Sequence, residues 1–180
     1  MLSALCSNFK LLIIMKLEWM DPYLVNAEQM MYNNQVNEGL ALMDSLLYEE
    51  PGYGTLHNHL GWAYLYYTTD TAKAELHLTM AIKFDAEYAP PYLHLANLFM
   101  RVGRYDEALK NPEAGLKKNN ANKVAFLENM AQVYELKRDY RTAIKYFKEA
   151  LASTVGFETA QLAEGIKRCR KKKWVMMFTF

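Results

Sequence analysis

Two cysteines, Cys6 and Cys169, are the only thiols in this 180-residue chain, and 163 residues separate them. That separation has neither the paired spacing of a disulfide framework nor that of a zinc site, so a reduced, cytoplasmic setting is expected. Long apolar runs are missing as well. Leu11 to Met15 gives five apolar residues before Lys16, and residues 1–10 lack a basic leader, which argues against a secretory core or a membrane span. The eight glycines form neither common phosphate-cradling loop. Histidines number four, and His57 and His59, two apart on a helix, point to nearly opposite sides. His59 and His94 fall at equivalent positions of neighbouring first helices, but no carboxylate or thiol is placed beside them by spacing, so His57, His59, His77 and His94 are expected to be satisfied surface histidines. Neither cysteine has a base at an interpretable distance in sequence. The expectation is a chain without catalytic residues, metal or cofactor.

A pattern repeated four times fills the space left by these absences. It reads Tyr23-x2-Asn26-Ala27-x2-Met30, His57-x2-Leu60-Gly61-x2-Tyr64, Tyr92-x2-Leu95-Ala96-x2-Phe99 and Leu127-x2-Met130-Ala131-x2-Tyr134. Each block is an i, i+3, i+4, i+7 spacing, which predicts one buried stripe on a helix. Nine residues on, ten in the second block, comes a small residue, Gly39, Ala74, Ala108 or Ala143; four later stand Met43, Leu78, Pro112 and Phe147. Small residues let two helices approach, and large ones fill the space beside that contact. Steps of 34, 35 and 35 residues between blocks mark a stacked array of helix pairs. Nothing in the chain calls for strands. Asp21-Pro22 is read as cap then proline opening the first helix, and Asp70 as a cap. An internal proline removes a donor and costs roughly 3 kcal/mol, and Asn111-Pro112-Glu113 also reads as a fresh cap at which the helix breaks and restarts. A tolerated kink weakening the stack between repeats three and four is favoured over a functional hinge.

These residues resemble the tetratricopeptide repeat family over about residues 20–155, best in Leu60-Gly61, Tyr64, Ala74 and Ala81. Asn26 and Pro112 depart from its pattern. The resemblance implies an all-α, right-handed α-α solenoid of about four helix pairs (20–53, 54–88, 89–123, 124–155) that binds a protein or peptide. An N-terminal apolar extension (1–19) precedes the pairs, and a capping helix with a basic, apolar tail (156–180) follows them. In that family the first helix of each pair lines a concave groove. Carried over, the groove presents Glu28, Met31 and Tyr32; Asn58, Trp62, Leu65 and Tyr66; Leu93, Asn97, Met100 and Arg101; and Glu128, Gln132 and Glu135. Trp62 and Tyr66, four apart, share a face. Family members that clamp a chaperone's terminal carboxylate need lysine or arginine in set positions. Here those hold Leu24, Glu28, His59, Pro90 and His94, or Asn58, Trp62, His94, Ala125 and Asn129, so no such clamp is expected.

Composition fits a single helical folding unit: hydrophobic residues are 52% and charged ones 23%, ordinary for a globular chain long enough to bury a core. Charge is unevenly spread. Residues 1–70 hold two lysines against eight acids, and 71–180 hold nineteen bases against twelve acids. Much of the excess lies in Lys167, Arg168, Arg170, Lys171, Lys172 and Lys173, just before the apolar run Trp174 to Phe180. The favoured reading is a helix end whose cations suit the macrodipole, with the tail folded back on the stack. An anionic membrane surface is the second choice for this tail, and nucleic acid is disfavoured. Apolar segments at both ends, Phe9 to Trp19 and Trp174 to Phe180, together with opposite charge in the two halves, predict an antiparallel homodimer.

Overall fold

The computed structural model describes residues 18–118, 120–154 and 159–178. The N-terminal half of the predicted dimer contact therefore lies outside the described residues, apart from Trp19. Where composition predicts one folding unit, the chain separates into two compact units, the first ending at Asp85 and the second beginning at Ala86. Repeat arrays make contacts between neighbours only, so such a division costs them little.

In the first unit a 3-10 turn, Glu18–Met20, leads into α1 (Asp21–Tyr32), α2 (Val36–Glu49), α3 (Gly54–Tyr67) and α4 (Thr71–Phe84). The second holds α5 (Pro90–Arg101), α6 (Tyr105–Gly115), α7 (Lys123–Leu136), α8 (Tyr140–Ser153) and α9 (Thr159–Met177). The described residues are all-α. Each pair is a short antiparallel hairpin, and its turn is written in the sequence. Asn34, Gly103 and Arg138 take left-handed backbone, with φ of 62°, 78° and 63°. They occupy the same turn of pairs one, three and four. Pair two, whose turn is also three residues (68–70), uses a different device. Thr68 donates its hydroxyl to Tyr64 O (2.8 Å) and accepts from Asp70 N–H (3.0 Å), a local threonine turn that needs no left-handed residue.

Caps fix several helix starts. Asp70, Asn122 and Asp139 accept from the backbone N–H groups of Lys73, Ala125 and Thr142 at 3.0–3.1 Å, each satisfying an otherwise orphaned donor. The predicted cap at Asp21 is corrected. Met20 holds the N-cap position, and the Asp21 carboxylate accepts from the Tyr53 hydroxyl at 3.1 Å.

The big-small interlock is explicit at Gly61, where a methyl group would come within 2.5 Å of the Leu78 side chain and 3.0 Å of its backbone nitrogen. The stripe of α1 is rotated from the predicted one. Leu24, Ala27 and Met31 are buried, while Tyr23 and Asn26 are exposed. Tyr23 instead packs edge-on to Trp19 (5.8 Å). The break at Pro112 is also corrected, since α6 is continuous through it. Asn111 does not cap a new helix; its amide donates back to Glu107 O at 2.9 Å. The helix is nevertheless short. The helix ends at Gly115 after 11 residues, against 14 in α2, α4 and α8.

The last helix hides a fifth block. Leu162-x2-Gly165-Ile166-x2-Cys169 lies 35 residues beyond Leu127, and all four residues are buried against Phe147, Ala143 and Ala150. A methyl group on Gly165 would meet the Phe147 ring at 2.8 Å. The small residue has moved from the fourth to the third position after the leading apolar one, which concealed the match. The outer face of α9, with Gln161, Glu164, Lys167 and Lys171, is exposed and polar, as the end of an array requires.

Candidate functional site

Exposed chemistry collects on first helices of pairs in each unit. In the first unit, Tyr32 at the end of α1 meets Trp62 of α3 edge-on at 6.0 Å and Tyr67 at 6.4 Å. Trp62 packs on Tyr67 at 5.1 Å and on Tyr66 at 6.5 Å. Tyr32 is 70% exposed and Tyr66 47%, while Trp62 and Tyr67 are half-buried. The predicted partnership of Trp62 with Tyr66 is thus the looser of its contacts. Tyr67 falls outside the carried-over groove positions, which end at Tyr66 in this helix. Beside the rings, Glu28 and His59 Nε2 are 3.1 Å apart, and His59 Nδ1 bonds Thr55 O at 2.7 Å. A carboxylate does stand beside this histidine, from the preceding first helix, where spacing within one helix could not reveal it.

Three carried-over positions belong to the interior instead. Met31 and Leu65 are 1% exposed, so they build the core. Asn58 is buried, and its Oδ1 has no hydrogen-bond partner.

His57 is not on the surface either. Its Nε2 lies 3.0 Å from Pro51 O, which can only accept, so Nε2–H donates there. Nδ1 is then left to accept from His77 Nδ1–H at 3.0 Å. Burial, then the neighbouring His57 and Lys73, lowers the His77 pKa to about 4. Phe84 stacks on His57 and Tyr64 on His77.

In the second unit the groove positions form a cleft of about 170 Å³ lined by Leu93, Asn97, Glu128, Asn129, Gln132 and Gln161. Asn129 donates to Asn97 Oδ1 at 2.6 Å. Glu128 accepts from Gln132 (3.2 Å) and Gln161 (2.6 Å). Asn129 is 4% exposed, and its Oδ1 faces no donor. Met100 is half-buried and Arg101 exposed at the end of α5.

Glu135 leaves the predicted groove set. It is 7% exposed and receives Arg168 Nε and Nη2, both at 2.7 Å, and Lys172 Nζ at 2.7 Å. Burial opposes its ionisation, but the hydrogen bonds from Arg168 and Lys172 outweigh burial and hold the pKa near 2. One groove acid is therefore consumed by two tail cations, and the cluster keeps a net positive charge. Cys169 nearby is a buried thiol pushed up to about 11, chiefly by burial and then by Glu135, and a thiol so protonated is a poor nucleophile. Among the described residues no group of three histidine, cysteine or acidic side chains is placed to hold a metal. No helix there is long and apolar enough to cross a membrane.

As far as Phe178, the tail is not folded back. Residues 171–177 continue α9, and Trp174, Met177 and Phe178 are 63–69% exposed. Helical geometry carries them past the buried stripe, whose last member is Cys169.

Residues 127–160 match the profile described as tetratricopeptide repeat. Over 142 residues, 66% of the chain, the sequence is 26% identical to the RNA polymerase-associated protein CTR9 of Saccharomyces cerevisiae. The chain spans only 13% of that protein's length. Its fold superposes with a TM-score of 0.77 on the structure of Pseudomonas aeruginosa PilF, at 15% identity over 87% of this chain and 69% of that one. On TTC0263, a TPR protein of Thermus thermophilus, the score is 0.67, at 17% identity over 84% and 80% of the two chains.

Proposed function

The chain belongs to the tetratricopeptide-repeat family, and we propose that it is a non-catalytic scaffold holding an extended segment of a partner protein on the first helices of its pairs. The observation that carries this reading is the cluster Tyr32, Trp62, Tyr66 and Tyr67, four rings grouped on α1 and α3, with Tyr32 largely exposed and Tyr66 about half exposed. Rings of this kind bury much area at little entropic cost, and such anchors dominate recognition energy. The amides of the second unit offer a separate candidate contact. Asn129 Oδ1, buried without a donor at the cleft, suits a main-chain N–H of the bound segment, because an unmet buried acceptor gains most from being met. Glu28 and Glu128 among these groups disfavour a terminal carboxylate as the ligand. The setting inferred is the cytoplasm, with no cofactor.

The experiment is partner capture from native lysate by the intact chain, by Trp62→Ala with Tyr66→Ala, and by Asn129→Ala. Loss of a captured protein from either variant, at unchanged melting, supports the reading for the unit that carries the substitution. Equal capture by all three contradicts it.

A further inference from the structure

The last two turns of α9 combine exposed apolar surface with unspent positive charge. Trp174 and Phe178, four residues apart, pack with tilted rings whose centroids are 4.7 Å from each other. Arg168 and Lys172 are committed to Glu135, whereas Arg170, Lys171 and Lys173 enter none of the ion pairs among the described residues. Two clefts flank this helix end. One, of about 390 Å³, is lined by Ile144, Lys148, Arg170, Lys173, Trp174 and Met177. The other, of about 290 Å³, includes Arg138, Arg141, Lys173, Met176 and Met177. Its one acid, Asp139, is held by Thr142 at the start of α8. Every other charged side chain lining the two clefts is a cation.

We propose that this end of the chain docks on an anionic lipid surface, with Trp174, Met177 and Phe178 entering the headgroup boundary and Arg141, Arg170 and Lys173 pairing with lipid phosphates. Several features favour that occupant. A helix that lies in a membrane interface puts aromatic and aliphatic side chains beside long cations whose stems can reach up to the headgroups. Nucleic acid would use the cations, yet it gives no return for burying Met177 and the aliphatic edge of the clefts. A second copy meeting this patch through its own would set like charges face to face. The proposal is independent of the groove reading, because no groove residue takes part.

The test is sedimentation of the full chain with vesicles of phosphatidylcholine alone and of equimolar phosphatidylcholine and phosphatidylglycerol. The chain should bind the anionic vesicles only, with a blue shift in tryptophan emission. Arg170→Gln with Lys173→Gln should weaken binding roughly thirty-fold, since each cation near an anionic surface contributes about 1 kcal/mol. Trp174→Ser with Phe178→Ser should weaken it at least about tenfold and abolish the shift. Both pairs lie beyond the buried stripe, so melting should not change. Equal binding to neutral vesicles, or no binding to anionic ones, overturns the proposal. So does binding indifferent to Trp174→Ser with Phe178→Ser, which marks a site for polyanions such as nucleic acid. Concentration-dependent doubling of mass that this pair abolishes, without vesicle binding, assigns the patch to a second copy and overturns it too.

Discussion

Arg168 grips Glu135 at two points, Nε on one carboxylate oxygen and Nη2 on the other, each at 2.7 Å across 33 residues of sequence. This fork ties α7 to the closing helix, beside the bonds of Gln161 to Glu128 and of Lys172 to Glu135. Glu135 is buried and Arg168 half-exposed, so removing the arginine leaves Lys172 alone against a buried charge. Arg168→Gln is expected to cost about 2 kcal/mol, read as a lower urea midpoint with unchanged slope. A variant as stable as the parent would show that Lys172 suffices.

Gly165 should tolerate no side chain. Gly165→Ala places a methyl group against the Phe147 ring, at the joint between α8 and α9. Overpacking there should destabilise the chain by roughly 1–3 kcal/mol, with faster amide exchange concentrated in α9. If exchange rises uniformly or not at all, α9 is not docked through this contact.

Pro112 is buried inside a helix that runs through it, so its missing donor is a plain deficit. Pro112→Ala restores the N–H without adding bulk and should raise stability by about 1 kcal/mol or more. Pro112→Leu should do less, because its larger side chain enters a buried place close to where the Phe126 ring packs on Gly115. Thermal melts of the two variants side by side check the ranking.

The His57–His77 pair predicts a pH dependence. His77 has a folded pKa of about 4 against an ordinary 6.5, so between these values the unfolded chain binds more protons than the folded one. Its contribution to stability is therefore complete above about pH 6.5 and lost as pH falls toward 4. Glu135, held near 2 against 4.5, adds a loss only below about pH 4.5. His77→Gln should flatten the melting-temperature curve between pH 6.5 and 4 and leave the lower limb intact.

The repeat was legible because its period is written in residue sizes, and the interlock of Gly61 with Leu78 follows from those sizes alone. What escaped the sequence lies across repeats. Tyr32 with Trp62, Glu28 with His59, Asn129 with Asn97, Gln161 with Glu128 and Arg168 with Glu135 join residues 30–33 apart. These are neighbouring first helices touching side by side. Helical periodicity describes one helix at a time and is silent on this offset. The stripe of α1 departs from its pattern because Met20 and Leu24 turn inward ahead of it, leaving Tyr23 to Trp19. The fifth block escaped because glycine and isoleucine exchanged places in it.

The central claim is that the grouped rings of α1 and α3 hold a partner segment. Partner capture by the intact chain and by Trp62→Ala with Tyr66→Ala, each with a melting curve, tests it most directly. The account predicts a captured protein that the double variant loses by tenfold or more, roughly 1.4 kcal/mol, at a melting temperature close to the parent's. Undiminished capture by the variant would contradict it, as would a large drop in melting temperature, which would mean that the rings serve the fold.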